Sequence, residues 1–227
     1  MPRIDGEKAT YEAVDRFVEV AFRTQDSLFT PGRAIWSTRV RDDLYQRFVQ
    51  NPDESSRSFL EKLEGQLRGA PSETIQLAAE LLFAQLLTPW AISRKRKTEL
   101  VETVLTWSPQ PLPFPQELQA AFERGLANDM SFMQQRPFQL AFLLEVLRKW
   151  YQVESGRRDE LLQDPWAFKS FLQDIPVKAA QPMREMLCHF VHPQYFEDIS
   201  SRKHKRLIVD AFRDRISNPT GDVDRDL

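Results

Sequence analysis

Apolar residues recur at helical spacing along most of the chain. The first such stretch places its apolar residues on one arc of a 3.6-residue helix: Tyr11, Val14, Phe17, Val18, Ala21 and Phe22. Similar patterns predict helices over about residues 38–50, 54–68, 93–107, 177–191, 193–198 and 201–216. A further helix is expected to end near Gly125, and another to begin at Asp164-Pro165, an N-cap followed by proline at the first helical position. Alternation of valine and isoleucine is nowhere sustained, so the sequence predicts no strand.

Two stretches are apolar nearly all round the helix. One runs from about Ser72 to Thr88, and the other from Phe138 to Tyr151. A helix with so little polar surface is usually enclosed by its neighbours. The sequence therefore predicts an all-α fold: a single compact multi-helical domain of about nine or ten helices, with these two at its centre.

The boundaries of this domain follow from the same pattern. A proline-rich connector at residues 109–115 could act as a hinge, but buried helices are predicted on both sides of it, which favours one domain over residues 1–221. Residues 222–227 resemble the first turn of another helix, and we interpret them as the start of a following segment.

Composition narrows the class of protein. The hydrophobic share is 41% and the charged share 28%, as in ordinary globular chains, and no apolar run approaches the roughly 18–20 residues that span a bilayer. The N-terminal stretch has no apolar core of a signal peptide, and the single cysteine, Cys188, suits a reducing compartment, so a cytoplasmic location is expected. The 31 basic side chains nearly balance the 33 acidic ones, so only local patches could attract nucleic acid.

Catalytic and cofactor motifs are scarce. The seven glycines form no phosphate-binding loop, so we expect the chain to bind no nucleotide and to need no cofactor. Cys188, His189 and His192 form a C-H-x-x-H motif, but zinc needs three or four ligands and no second cluster supplies them. We predict no metal site and no enzymatic activity in this chain. The five tryptophans are interpreted as core residues, with a stacking platform for a base as the alternative.

Two basic clusters are the candidate binding residues. The first is Arg94, Lys95, Arg96 and Lys97, which fall in the first turn of a predicted helix, where cations oppose the helix dipole. A phosphate or an acidic partner would explain this placement. The alternative is a solvated face that Glu99 and Glu102 neutralise.

The second cluster lies on the last long predicted helix. Its apolar residues, with His204, are expected to face the core: Leu207, Ile208, Ala211 and Phe212. The opposite face then forms a basic ridge of Arg202, Arg206 and Arg213, flanked by Lys203 and Lys205, a shape that suits the backbone of DNA. The alternative is an ordinary solvated face, tempered by Asp210 and Asp214.

Several longer strings resemble a known family. They are QLAAELLFAQLL at 76–87, LLQDPWAFKSFL at 161–172 and HPQYFEDISSRKHKRLIVDAF at 192–212, supported by residues 58–73 and 222–227. Together they resemble the helical N-terminal region of McrB-like AAA+ ATPases, the motor subunits of modification-dependent restriction systems. His192 stands where the family pattern has an apolar residue before the proline.

The resemblance implies partners outside this chain. A motor domain of the same polypeptide would carry the nucleotide-binding motifs and hydrolyse ATP or GTP, and an McrC-like nuclease subunit would work with it. Two functions then compete: a recognition domain that contacts DNA through its basic clusters, and a protein-interaction or assembly module without DNA contact. A free-standing helical enzyme is the third alternative. No membrane partner is expected.

Overall fold

The computed structural model describes residues 7–127 and 131–227, and every regular element within them is helical. The all-α prediction is therefore confirmed, but the expected count of nine or ten helices is too low. The described residues contain thirteen α-helices: α1 Lys8–Glu19, α2 Thr38–Phe48, α3 Phe59–Leu67, α4 Ser72–Leu86, α5 Arg94–Thr106, α6 Gln116–Gln119, α7 Ser131–Gln134, α8 Arg136–Trp150, α9 Ser155–Gln163, α10 Pro165–Gln173, α11 Gln181–Val191, α12 Arg202–Ala211 and α13 Val223–Asp226.

Side-chain caps set several of the helix starts. Asp164 accepts hydrogen bonds from the backbone N–H groups of Trp166 and Ala167, as predicted for α10. Helix α3 begins later than expected, because Ser58 and Glu61 form a capping box there. Helix α11 likewise begins at Gln181 rather than near 177, and the helix predicted at 193–198 is a turn instead.

Helix α4 lies at the centre, and all its residues from Thr74 to Leu86 are buried, as its pattern predicts. It contacts α2, α5 and α8. The buried carboxylate on this helix, Glu80, accepts hydrogen bonds from Ser27, Trp36 and Gln76 and from two backbone N–H groups of the loop after α1. Burial raises the pKa of Glu80, although each of these donors stabilises its anion.

Helix α8 is the second largely buried helix, although Phe138 near its start is exposed. Its last residue, Trp150, donates a hydrogen bond of 2.9 Å from Nε1 to the carbonyl of Phe22, which lies in the π-helical turn that continues α1. The same indole packs edge-on against Phe22 and Phe168, so it joins α1 and α10.

The proline-rich connector is held to the core by Phe114, whose ring packs against Phe29, Phe83 and Phe122. The segment after residue 221 also contacts the helices before it, because Asp222 and Asp224 bind lysines of α10 and α12. None of the described helices is both long enough and apolar enough to cross a bilayer. The division expected after residue 221 stays a prediction.

Candidate interaction surface on helix α12

Helix α12 is attached to the rest of the fold by a buried lysine. Ser201 caps the helix by accepting a hydrogen bond from the backbone N–H of His204. One turn later, Lys205 is fully buried and its ammonium donates to Glu185 of α11 and to Asp224 of α13, both at 2.6 Å. The sequence-based interpretation of Lys205 as an exposed flank of the basic ridge is wrong.

The buried ion pairs extend beyond Lys205. Lys169 of α10 donates to both carboxylate oxygens of Asp222, at 2.5 and 2.7 Å, and lies 2.7 Å from Oδ2 of Asp224. Arg202 lies 3.4 Å from Oε1 of Glu185. Three carboxylates therefore face three cations where α10, α11, α12 and α13 meet, and we call these six residues the ion-pair cluster.

Charge pairing dominates the pKa values in this cluster. Burial alone would lower the pKa of Lys205, but the neighbouring carboxylates raise it above its usual value. Burial alone would raise the pKa of Asp224, but hydrogen bonds and charge from Lys169 and Lys205 hold it below its usual value. Each group is thus kept in its charged form, which is the form that attaches α12.

The apolar side of α12 faces solvent. Leu207, Ile208 and Phe212 are 56%, 37% and 57% exposed, and His204 and Ala211 are exposed beside them. The sequence predicted the reverse, with these residues in the core. The physical reason is that Glu185 and Asp224 hold Lys205 in the core, which fixes the rotation of the helix. Leu207 and Ala211 then lie on the far side of the helix, and Ile208 and Phe212 lie between that side and Lys205. We call His204, Leu207, Ile208, Ala211 and Phe212 the apolar face of α12.

The basic ridge is smaller than predicted. Lys205 is buried, and Arg202 is half-buried against Glu185. Arg213 is exposed and donates to Asp210 at 2.7 Å. Lys203 and Arg206 are exposed, and no ion pair to another described residue is found for either. These two cations are the freest part of the predicted DNA contact.

The first basic cluster is mostly neutralised by acidic neighbours. Arg94 pairs with Glu123 at 3.1 Å, while Lys95 and Arg96 share Glu99 at 4.0 and 3.3 Å. Glu99 acts as the alternative interpretation of a solvated face expects, but the second acidic partner is Glu123 rather than Glu102. All three side chains remain exposed.

Lys97 does not belong to this surface. Its side chain is fully buried, with the ammonium 5.6 Å from the ring centre of Phe122, and burial lowers its pKa to about 8. Its placement in an exposed basic cluster is therefore wrong, because the fourth residue of the cluster turns to the inner side of α5.

The C-H-x-x-H motif lies in the core rather than at a surface. His189 is held between the hydroxyl of Tyr11 at 2.9 Å and the carbonyl of Phe196 at 2.7 Å. His192 is buried against Phe168, and burial raises the pKa of the Cys188 thiol. Within residues 7–127 and 131–227, no group of three or more potential metal ligands is found.

The tryptophans mostly serve the core, as predicted. Trp36 and Trp150 are fully buried, and Trp107 and Trp166 pack partly buried against the core. Trp90 is the exception, since its side chain is 51% exposed.

One groove has no counterpart in the sequence-based predictions. It encloses about 730 Å³ between α2, α3 and α8, and its aromatic lining comes from Tyr45, Phe48, Phe59 and Phe138. These residues belong to three separate helical patterns, and only the packing of the helices brings them together. The guanidinium of Arg148 lies 3.7 Å from the ring centre of Tyr45 near this groove.

Comparisons of the sequence and the structure with known proteins found no match. No protein-family model matches the chain, and neither a curated protein nor a solved structure shows significant similarity to it.

Proposed function

We propose that this chain is a non-catalytic assembly module of an McrB-like restriction ATPase, and that the apolar face of α12 is a contact between protein subunits. The observation that carries the proposal is the exposure of Leu207, Ile208 and Phe212 on a helix whose rotation is fixed by the buried ion pairs of Lys205. The link to McrB-like ATPases rests on the strings at 76–87, 161–172 and 192–212.

Burial of the apolar face in an interface would lower the free energy, because its side chains would no longer be exposed to water. Apolar surface gains roughly 25 cal/mol for each Å² removed from water, and contiguous exposed patches of large apolar side chains mark interaction sites on proteins. The ion-pair cluster supports this interpretation, because α12 cannot turn its apolar face inward without separating Lys205 from Glu185 and Asp224. The helix is thereby fixed with this face outward.

The test is the substitution Leu207→Glu in the full-length protein with its nuclease subunit. Sedimentation velocity should show that the parent protein forms a multi-subunit species and that the variant shifts to smaller ones. Trp90→Glu is the matched control, since Trp90 is equally exposed but lies elsewhere on the surface. Unchanged assembly of Leu207→Glu would refute the proposal.

DNA contact is the second candidate function, and the exposure of Lys203 and Arg206 favours it. Each phosphate contact contributes a slope of roughly 0.9 to the log–log dependence of affinity on salt for duplex DNA. Replacing both residues by Gln should therefore lower that slope by about one to two. Mobility-shift titrations with plain and cytosine-modified duplexes at two salt concentrations measure it, and an unchanged slope would remove the two cations from any DNA contact.

A further inference from the structure

We infer that the apolar face of α12 pairs with the same face of a second copy of this chain, with the two helices antiparallel and related by a twofold axis. This inference rests on the proposed function and names the partner. It is carried by the exposed apolar residues of α12 together with the order of charges along one flank of the helix.

The charged residues beside the apolar face change sign along α12. Lys203 lies near the N-terminal end, and Asp210 follows seven residues later, which is close to two turns and so on the same flank. Both side chains are exposed, and Asp214 extends the acidic end into the next turn. The exposed charges nearest the apolar face on this flank are therefore positive at the start of the helix and negative at its end, while Arg206 lies further round from that face.

Such a flank is complementary to itself only in an antiparallel pair. A twofold axis perpendicular to two antiparallel helices keeps each flank on its own side and reverses its direction. Lys203 of one copy then faces Asp210 and Asp214 of the other, and the same contact occurs twice. In a parallel pair the twofold axis would run along the helices and place the two flanks on opposite sides of the pair, so these charges would make no contact between the copies.

The apolar residues suit the same geometry. Leu207 lies midway between Lys203 and Asp210, so the axis passes close to it and brings the two Leu207 side chains together. Ile208 and Ala211 extend the contact on the C-terminal side, and His204 meets them from the other copy. Because the contact is isologous, it closes at two copies and leaves no open end for a fibre.

The expected affinity is modest. Stable complexes commonly bury about 800 Å² on each partner, and one helix of three turns offers less. Asp210 also pairs with Arg213 of its own chain, but this pair is exposed and can exchange at little cost. We expect a monomer–dimer equilibrium with a dissociation constant in the micromolar range.

The first experiment measures this equilibrium on the 227-residue chain by sedimentation equilibrium over a concentration series. The parent should change from monomer to dimer, Leu207→Glu should stay monomeric, and Trp90→Glu should match the parent. Circular dichroism and urea unfolding check that each variant is folded. A parent that remains monomeric at its highest soluble concentration would overturn the inference. If Leu207→Glu still disrupted assembly with the nuclease subunit, the proposed function would survive that result.

A charge-exchange experiment tests the antiparallel arrangement. Lys203→Glu and Asp210→Lys each place two like-charged contacts in their own dimer, so each should weaken dimerisation by on the order of tenfold. An equimolar mixture of the two variants should dimerise about as well as the parent, because both contacts in the mixed dimer join opposite charges. Equal weakening in the mixture would refute the antiparallel pairing.

Discussion

Lys205 and Asp224 form a buried ion pair in which Nζ lies 2.6 Å from Oδ1, and this pair joins α12 to α13. The lysine also donates to Glu185, so one ammonium connects three helices. The apolar side of α12 faces solvent, and the fully buried position of this helix is occupied by Lys205 rather than by an apolar residue.

Removal of this lysine should release α12. Lys205→Met leaves Glu185 and Asp224 buried with one cation fewer, and loss of one partner of a buried pair typically costs about 3–5 kcal/mol. Urea unfolding followed by circular dichroism at pH 7 measures the loss. Lys203→Met, two residues away and exposed, is the control and should stay within about 0.5 kcal/mol. Equal stability of the two variants would show that the buried pair does not hold the helix.

The ion-pair cluster should also make the protein sensitive to acid. The pKa values of Asp222 and Asp224 lie below the usual 3.8 in the folded protein, chiefly because Lys169 and Lys205 oppose the effect of burial. Their contribution to stability is therefore complete above pH 3.8 and is lost as the pH falls through the lower folded-state values.

Asp224→Asn tests this origin of the acid sensitivity. The variant should be less stable than the parent at pH 7 and should lose less further stability below pH 4, because one depressed carboxyl group is gone. Urea midpoints measured from pH 7 down to pH 2.5 give both quantities. Parallel curves for parent and variant would place the acid sensitivity elsewhere in the chain.

Glu80 should be essential for the loop after α1. Five hydrogen bonds point at its two oxygens, from Ser27, Trp36, Gln76 and two backbone N–H groups. Glu80→Gln replaces one acceptor by an amide N–H₂ that faces donors, so we expect a loss of roughly 2–4 kcal/mol. Urea unfolding checks this value, with the exposed Glu64→Gln as control. A neutral Glu80→Gln would show that the loop is held by its apolar contacts alone.

Local signals in the sequence predict where the helices lie, but they do not predict which side of α12 faces the core. The Asp164 cap and the apolar run of α4 depend on neighbours along the chain, and both predictions are confirmed. The orientation of α12 depends on Glu185, twenty residues earlier, and on Asp224, nineteen residues later. Amphipathicity shows that a helix has two sides, but a buried partner for Lys205 decides which side faces the core.

The candidate site was missed for the same reason. Four residues expected in the core, Leu207, Ile208, Ala211 and Phe212, form the exposed face instead. The sequence did carry one signal, since an unusually amphipathic helix has a lysine between its cationic and apolar sides. The signal can be interpreted only when α13 is known to pack against α12 and to supply Asp224 to Lys205. The sequence analysis instead assigns α13 to the start of another segment.

Lys97 is a buried lysine of the opposite kind to Lys205, because no carboxylate among the described residues offsets the cost of burying its charge. Its ammonium lies over the ring of Phe122 at 5.6 Å, and burial lowers its pKa from 10.5 to about 8. At pH 7 the side chain is charged in both the folded and the unfolded chain, so the shift appears as a cost of about 3 kcal/mol. That cost disappears as the pH rises from 8 towards 10.5, since the neutral amine has no charge to desolvate.

Lys97→Met should therefore stabilise the protein at pH 7, by about 2–3 kcal/mol, and its advantage should shrink between pH 8 and pH 10.5. Thermal unfolding measures it, with an expected rise in Tm of roughly 4–12 °C for a chain of this size. Lys95→Met is the matched control, since that side chain is 88% exposed and should change stability by less than about 0.5 kcal/mol. A destabilised Lys97→Met at pH 7 would mean that the contact with Phe122 outweighs the cost of burying the charge, because methionine keeps the apolar stem and removes only the ammonium.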